Sequence, residues 1–227
     1  MDILQQLRGG LIVSCQATEE SPLRDSRIMA AMARAAQTGG AVGIRANGPE
    51  DIRAIRRAVS LPIIGIYKQV IPGYEVYITP TLETASQVVE AGADLLAVDA
   101  TSRPRPGGLR ASDIIRLCKS KFNLLVMADV STLEEGLSAA DSGADLVATT
   151  LAGYTDNTRH RSLPDFELVE NLVQQSPVPV IVEGHIQTPQ EARRALDLGA
   201  FAVVVGTAIT RPESITARFV AGLKASQ

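Results

Sequence analysis

Glu83-Thr84-Ala85-Ser86-Gln87-Val88-Val89-Glu90-Ala91-Gly92-Ala93-Asp94-Leu95-Leu96-Ala97-Val98 is the stretch that decides the fold. An alanine-rich amphipathic helix runs into Gly-Ala, and a short, continuously apolar strand follows. The design recurs three times. It runs from Arg27 through Gly39-Gly40-Ala41 to Val42-Gly43-Ile44, and from Glu134 through Gly143-Ala144-Asp145 to Leu146-Val147-Ala148. It runs again from Glu191 through Gly199-Ala200 to Val203-Val204-Val205. Gly40, Gly92, Gly143 and Gly199 are separated by 52, 51 and 56 residues. Glycine just past a helix takes the left-handed cap at little steric cost.

A period near 50 is too long for one strand–helix unit and fits two. Further apolar strands lie between the repeats, at Leu11 to Cys15, Ile63 to Tyr67, Leu124 to Ala128 and Val180 to Val182. Continuous apolar runs suit strands buried on both faces. Eight parallel strands, each followed by a helix, close into a (β/α)8 TIM barrel. The fold class is therefore α/β, with residues 1–227 read as a single domain. An open doubly wound sheet is the alternative, but the first strand–helix turn lacks GxGxxG and such a sheet does not predict a fourfold repeat. Thr188-Pro189-Gln190-Glu191 and Ser131-Thr132-Leu133-Glu134 read as capping boxes, and Pro49 and Pro212 open two more helices. Val76-Tyr77-Ile78-Thr79 reads as a short extra strand in the loop after the third barrel strand.

The 227 residues are 45% hydrophobic and 21% charged, with 22 basic and 25 acidic side chains giving −3. That balance excludes a strongly basic nucleic-acid binder and an acidic disordered chain. Met1-Asp2-Ile3-Leu4 lacks a basic leader followed by an apolar run, and no apolar run approaches the ~18 residues of a membrane span. Cys15 and Cys118 do not make a disulfide framework. The expectation is a soluble cytoplasmic protein with no nucleic-acid or membrane partner. No motif speaks to oligomeric state; a homodimer is the working expectation.

Barrel enzymes work at the carboxyl ends of their strands. The first polar residues after the odd strands are Gln16, Lys68, Asp129 and Glu183. After the even strands they are Arg45, Asp99, Thr149 and Gly206-Thr207. Residues two apart share a strand face. Lys68 therefore continues the row of Ile64 and Ile66, Asp129 that of Leu125 and Met127, and Glu183 that of Ile181. Any one of these could be solvated rim. Lys68, Asp129, Glu183 and Arg45 converging on one mouth read as a site, because buried charge is costly unless paired or used.

His160 and His185 are the only histidines, and no ligand-spaced cluster points to a metal. Cys15 has no nearby histidine and reads as packing, as does Cys118. Anion binding is better supported. The loops after the seventh and eighth strands, Gly184-His185-Ile186 and Gly206-Thr207-Ala208, can turn backbone N–H groups toward a phosphate. Arg211 precedes Pro212 at the start of the last helix, where a cation opposes the helix dipole unless an anion is bound; a solvated arginine is the rival reading. Arg103-Pro104-Arg105-Pro106-Gly107-Gly108-Leu109-Arg110 is expected either to stand over the mouth and attract an anion or to be a mobile surface loop.

The chain resembles the N-acylglucosamine-6-phosphate 2-epimerases (N-acetylmannosamine-6-phosphate 2-epimerases) of sialic acid catabolism. The resemblance runs over nearly the whole sequence. It rests on Leu11-Ile12-Val13-Ser14-Cys15-Gln16-Ala17, Gly43-Ile44-Arg45-Ala46-Asn47, Pro62-Ile63-Ile64-Gly65-Ile66-Tyr67-Lys68 and Ile78-Thr79-Pro80-Thr81. It continues in Asp99-Ala100-Thr101, Met127-Ala128-Asp129-Val130-Ser131-Thr132, Thr149-Thr150-Leu151-Ala152-Gly153-Tyr154-Thr155, Val182-Glu183-Gly184 and Val205-Gly206-Thr207-Ala208-Ile209-Thr210-Arg211-Pro212.

The resemblance implies a TIM barrel that interconverts N-acyl-D-mannosamine 6-phosphate and N-acyl-D-glucosamine 6-phosphate without a cofactor. It places the acid/base lysine at Lys68, the catalytic glutamate at Glu183 and supporting contacts at Gln16, Arg45 and Asp129. Gly184, Gly206, Thr207 and Arg211 are left to hold the phosphate. His185 stands where many members carry Arg or Lys, and Thr207 where a smaller residue is common. On this reading Lys68 is a base whose pKa is lowered by apolar walls and by Arg45. Asp129 orients its ammonium, and Arg45 with Gln16 steadies the oxyanion. A Schiff-base aldolase using Lys68 and a non-catalytic sugar-phosphate-binding barrel are the alternatives.

Overall fold

The four repeat glycines take the backbone where only glycine is comfortable. Gly40, Gly92, Gly143 and Gly199 have φ of 93°, 96°, 97° and 97°. Each turns the chain from a helix end into a strand. In the second and third repeats the following aspartate explains the Gly-Ala-Asp signature. Asp94 accepts the backbone N–H of Ile63 at 2.8 Å and pairs with Arg56, while Asp145 accepts that of Val126 at 2.7 Å and pairs with Lys119 at 2.8 Å. Each aspartate thereby ties its own strand's start to the preceding strand.

A computed structural model describes residues 2–224. Its strands are β1 (Leu11–Cys15), β2 (Gly43–Asn47), β3 (Ile63–Ile66), β4 (Leu95–Asp99), β5 (Leu125–Asp129), β6 (Leu146–Ala148), β7 (Val180–Glu183) and β8 (Ala202–Val205). They pair in parallel, in sequence order, and β8 closes on β1 with Ile12 opposite Val204. The expected closed barrel is present, and the open sheet is not. The helices are α1 (Ile3–Leu7), α2 (Ser26–Thr38), α3 (Pro49–Ala58), α4 (Leu82–Glu90), α5 (Ala111–Phe122), α6 (Leu133–Asp141), α7 (Phe166–Gln175), α8 (Pro189–Asp197), α9 (Thr207–Thr210) and α10 (Pro212–Lys224).

The repeat did not announce α1. Asp2 caps it, and it carries Leu7 into the barrel interior among Ile12, Ile64, Leu95 and Leu146, away from the strand ends that hold the charges. A separate apolar layer lies between barrel and helices. Thr188 and Glu191 form the expected capping box. The box at α6 sits one residue later than read, on Thr132 and Glu135, because Ser131 instead joins Thr132 in donating to the Glu135 carboxylate. The extra strand reduces to one antiparallel bridge, Lys68 to Ile78. None of the residues of α10 is buried.

Candidate active site

The strand rows behave as alternation requires. Ile64, Ile66, Met127 and Ile181 pack inside the barrel, and Lys68, Asp129 and Glu183 follow them at its mouth. There a cavity of about 280 Å³ is lined by Gln16, Arg45, Lys68, Glu183, Gly184, Gly206, Thr207 and Arg211, all expected from the sequence. Ser14, Tyr77, Thr150 and Tyr154 line it as well. A larger hollow, about 930 Å³, lies outside the barrel near α6, α7 and α8 and contains none of the strand-end charges.

Arg45 organises the floor. It is 1% exposed, and both terminal nitrogens face Asp129, at 2.5 and 3.1 Å, in the fork geometry guanidinium favours. Its Nη1 also donates to Glu183 and to Thr150 Oγ1. Thr150 Oγ1 in turn donates a hydrogen bond to Asp129 Oδ1 at 2.6 Å. Burial works to discharge Arg45, but Asp129 and Glu183 outweigh it and hold its pKa above the ordinary value. Asp129 is 0% exposed and lies beneath the cavity surface. The sequence reading has Asp129 facing the lysine; the structure turns it to Arg45, so it acts on the cavity through that side chain.

Glu183 ends β7, and Thr149 Oγ1 fixes its backbone by donating to Glu183 O and accepting from Glu183 N. Burial pushes the Glu183 carboxyl upward, Arg45 opposes, and Asp129 adds to the rise. Lys68 lies two residues past β3, with its backbone N–H held by Asn47 Oδ1 at 2.8 Å. Its side chain is exposed, and it lines the cavity. The surrounding protein wall, then Arg45, lowers its pKa to about 8; Arg211 adds to the fall, while Glu183 and Asp129 resist it. Cavity water screens part of this effect, and a ligand displacing that water would strengthen it.

Gln16 donates to Ser14 Oγ at 2.8 Å, which leaves its buried Oε1 without a partner among the described residues. Gly184 has φ of 102°, and a Cβ there would stand 3.4 Å from Thr150 O. The close passage brings the β7 loop against the end of β6.

The Arg103 to Arg110 loop does not hold free positive charge above this mouth. Arg103 pairs with Asp99 at 2.7 Å, the 1%-exposed Arg105 donates to Asp99 O, and Arg110 pairs with Asp113. Burial pushes the Cys15 thiol up to about 12, with Asp51 adding to the rise, and burial does the same to Cys118. No group of three or more His, Cys, Asp or Glu side chains that could hold a metal ion is found among the described residues. No helix among them is long and apolar enough to cross a membrane.

Sequence reasoning missed Thr150, Tyr77 and Tyr154 as cavity groups. Thr149-Thr150 offered two hydroxyls, and alternation could have assigned one to each side of the strand: Thr149 to the β7 backbone and Thr150 to the interior.

Fold and mouth together define a TIM-barrel protein whose strand-end ionisable groups share a cavity with the glycine-bearing β7 and β8 loops and Arg211. A family model described as "Putative N-acetylmannosamine-6-phosphate epimerase" matches residues 29–225. A protein of Caldanaerobacter subterraneus subsp. tengcongensis named "Putative N-acetylmannosamine-6-phosphate 2-epimerase" is 55% identical, over 99% of this chain and 95% of its own. A Clostridium perfringens protein of the same name is 48% identical, over 98% of this chain and 100% of its own. The solved structure of the Clostridium perfringens N-acetylmannosamine-6-phosphate 2-epimerase superposes with a TM-score of 0.94 at 47% identity, covering 97% of this chain and 96% of that one. A thiamine phosphate pyrophosphorylase from Pyrococcus furiosus, at 19% identity and a TM-score of 0.62, shares the fold alone. The chain belongs to the N-acetylmannosamine-6-phosphate epimerase family of carbohydrate epimerases.

Proposed function

We propose that this chain interconverts N-acyl-D-mannosamine 6-phosphate and N-acyl-D-glucosamine 6-phosphate by removing and returning the proton at C2. In the open-chain sugar C2 adjoins the aldehyde, so loss of its proton gives an enolate, and return to the other face gives the epimer. The oxidation state is unchanged, and the step consumes no metal, nucleotide or other co-reactant. The observation that carries the reading is the placement of Lys68 and Glu183 in one cavity at the barrel mouth, where their surroundings push the lysine pKa down and the carboxyl pKa up.

Lys68 is the base. Arg45 and Asp129 bring +1 and −1 to the floor. Glu183 brings −1 when ionised, and Lys68 +1 when protonated. Discharging Lys68 therefore leaves a net negative floor, which favours a proton on Glu183. Glu183 in its acid form donates at the aldehyde or ring oxygen, and Arg45 with the unpartnered Gln16 Oε1 orients the polar groups beside the reacting carbon. Gly184, Gly206, Thr207 and Arg211 hold the phosphate and convert remote binding into orientation.

The chain acts as one barrel domain in the cytoplasm and pairs as a homodimer. The support for pairing is α10, whose Phe219 and Leu223 are 73% and 78% exposed; sedimentation of a monomer at micromolar concentration would remove it. The reaction is tested by NMR with N-acetylmannosamine 6-phosphate in D2O. Wild type should form the gluco epimer with deuterium at C2, and Lys68→Ala should do neither while retaining its fold. Exchange that survives Lys68→Ala removes the lysine from the role. A lowered lysine pKa also suits Schiff-base chemistry; borohydride trapping of a lysine adduct with substrate would establish that reading instead.

A further inference from the structure

The β7 loop holds a feature that proton transfer at C2 does not use. His185 follows Gly184 in the left-handed region, with φ of 60°. Side-chain-bearing residues are held there at a cost and cluster at ligand clamps. Its ring stacks on Tyr154 with centroids 4.8 Å apart and planes at 26°. Tyr154 comes from the segment between β6 and α7, so two loops meet at this pair. Both residues line the cavity with Gly206, Thr207 and Arg211. The His185 Nε2 is buried with no hydrogen-bond partner among the described residues, a situation native structures seldom leave uncorrected. Turning the ring over exchanges its nitrogen and carbon edges, so the stacked imidazole can present N–H to the cavity.

The charges around it leave room for a second cation. Glu183 on β7 is engaged by Arg45 on β2, and Arg218 and Glu191 both engage Gln187. Lys68 stands at the reacting end. Arg211, before α10, forms no ion pair among the described residues and supplies one positive charge, against two negative charges on a phosphate monoester. Burial holds the His185 imidazole below the ordinary histidine pKa, so the empty site favours the neutral ring.

We propose that His185 is the second cationic ligand of the phosphoryl group, taking up a proton as the dianion binds and stacking on Tyr154 while it does so. The assignment rests on the reading of the β7 and β8 loops as the phosphate end. Affinity then falls as pH rises, because the protonated ring exists only in the bound state and becomes harder to form. Neutral imidazole and dianion are the separated partners near pH 7.5, and their complex carries the added proton.

The test uses inorganic phosphate and the whole protein, so it does not depend on the epimerase assay. Calorimetric titrations at pH 7 in buffers of different ionisation enthalpy count protons per phosphate bound. Wild type should take up more protons than His185→Gln. His185→Gln should bind about tenfold more weakly at pH 6.5, the loss expected for one charge-assisted hydrogen bond. His185→Arg should keep the affinity and lose the extra uptake. Equal proton counts in wild type and His185→Gln overturn the proposal, as does unchanged affinity. With substrate, KM of wild type should rise between pH 7 and 8.5 while KM of His185→Arg stays level. A protein that binds phosphate in this way but leaves N-acetylmannosamine 6-phosphate untouched would refute the reaction and keep His185 in place.

Discussion

The sharpest consequence of the cavity concerns how much free amine Lys68 offers. With a pKa of about 8, about one Lys68 in eleven is neutral at pH 7, whereas at the ordinary 10.5 it would be about one in three thousand. The barrel mouth therefore raises the concentration of competent base about 300-fold at neutral pH, or about 30-fold where cavity water holds the pKa near 9. The sign follows from the chemistry. Only the neutral amine accepts the C2 proton, so kcat/KM should climb tenfold per pH unit below the inflection and level off above it. The profile is read on the His185→Arg variant, in which the phosphate-linked protonation proposed above does not oppose the climb, and the phosphate is itself already dianionic above about pH 7. The assay is initial-rate epimerisation by NMR from pH 6.5 to 10.5, with kcat/KM reporting the free enzyme. Because cavity water screens part of the wall's effect, the inflection should fall between about 8 and about 9. Arg211→Gln removes a cation that helps lower the Lys68 pKa, so its inflection should move upward. A profile that is flat from pH 7 to 9, or still rising tenfold per unit at 10, refutes the assignment of Lys68 as a depressed-pKa base.

Three further outcomes can be checked directly. Asp129→Asn leaves the buried Arg45 with half its partner, and denaturant titration should show a loss of about 3–5 kcal/mol; a loss under about 1 kcal/mol would mean the pair does not hold the floor together. Arg211→Ala should raise KM for the phosphorylated sugar about 10- to 150-fold with kcat nearly kept, the range of a charge-assisted hydrogen bond, and an unchanged KM would detach Arg211 from the phosphate. Gly65→Ala places a Cβ 2.5 Å from Val88 Cγ1 and 2.6 Å from Ala93 Cβ. Overpacking between β3 and α4 should lower stability by about 1–3 kcal/mol, and a thermal melt identical to wild type would show that α4 can retreat without loss.

The division between sequence and tertiary structure falls along the range of the interactions. The repeat determined the barrel by itself, because a glycine with φ near 95°, a helix before it and an apolar strand after it are all local. Alternation along short strands likewise put Lys68, Asp129, Glu183 and Arg45 at one mouth without any knowledge of neighbours. What those groups do to one another was not local. Arg45 meets Asp129 across 84 positions and Glu183 across 138, and nothing in the sequence said that Asp129 would face the arginine rather than the lysine. The same holds for Thr150, which acquires its role only by standing between Arg45 and Asp129, and for Tyr154, which meets His185 from a different loop. The arginines of the Arg103 to Arg110 loop carried a plausible charge signal, yet folding turned two of them onto Asp99. A strand's pattern states which side chains point inward; only barrel closure, which fixes register and distance between strands, decides which of them pair.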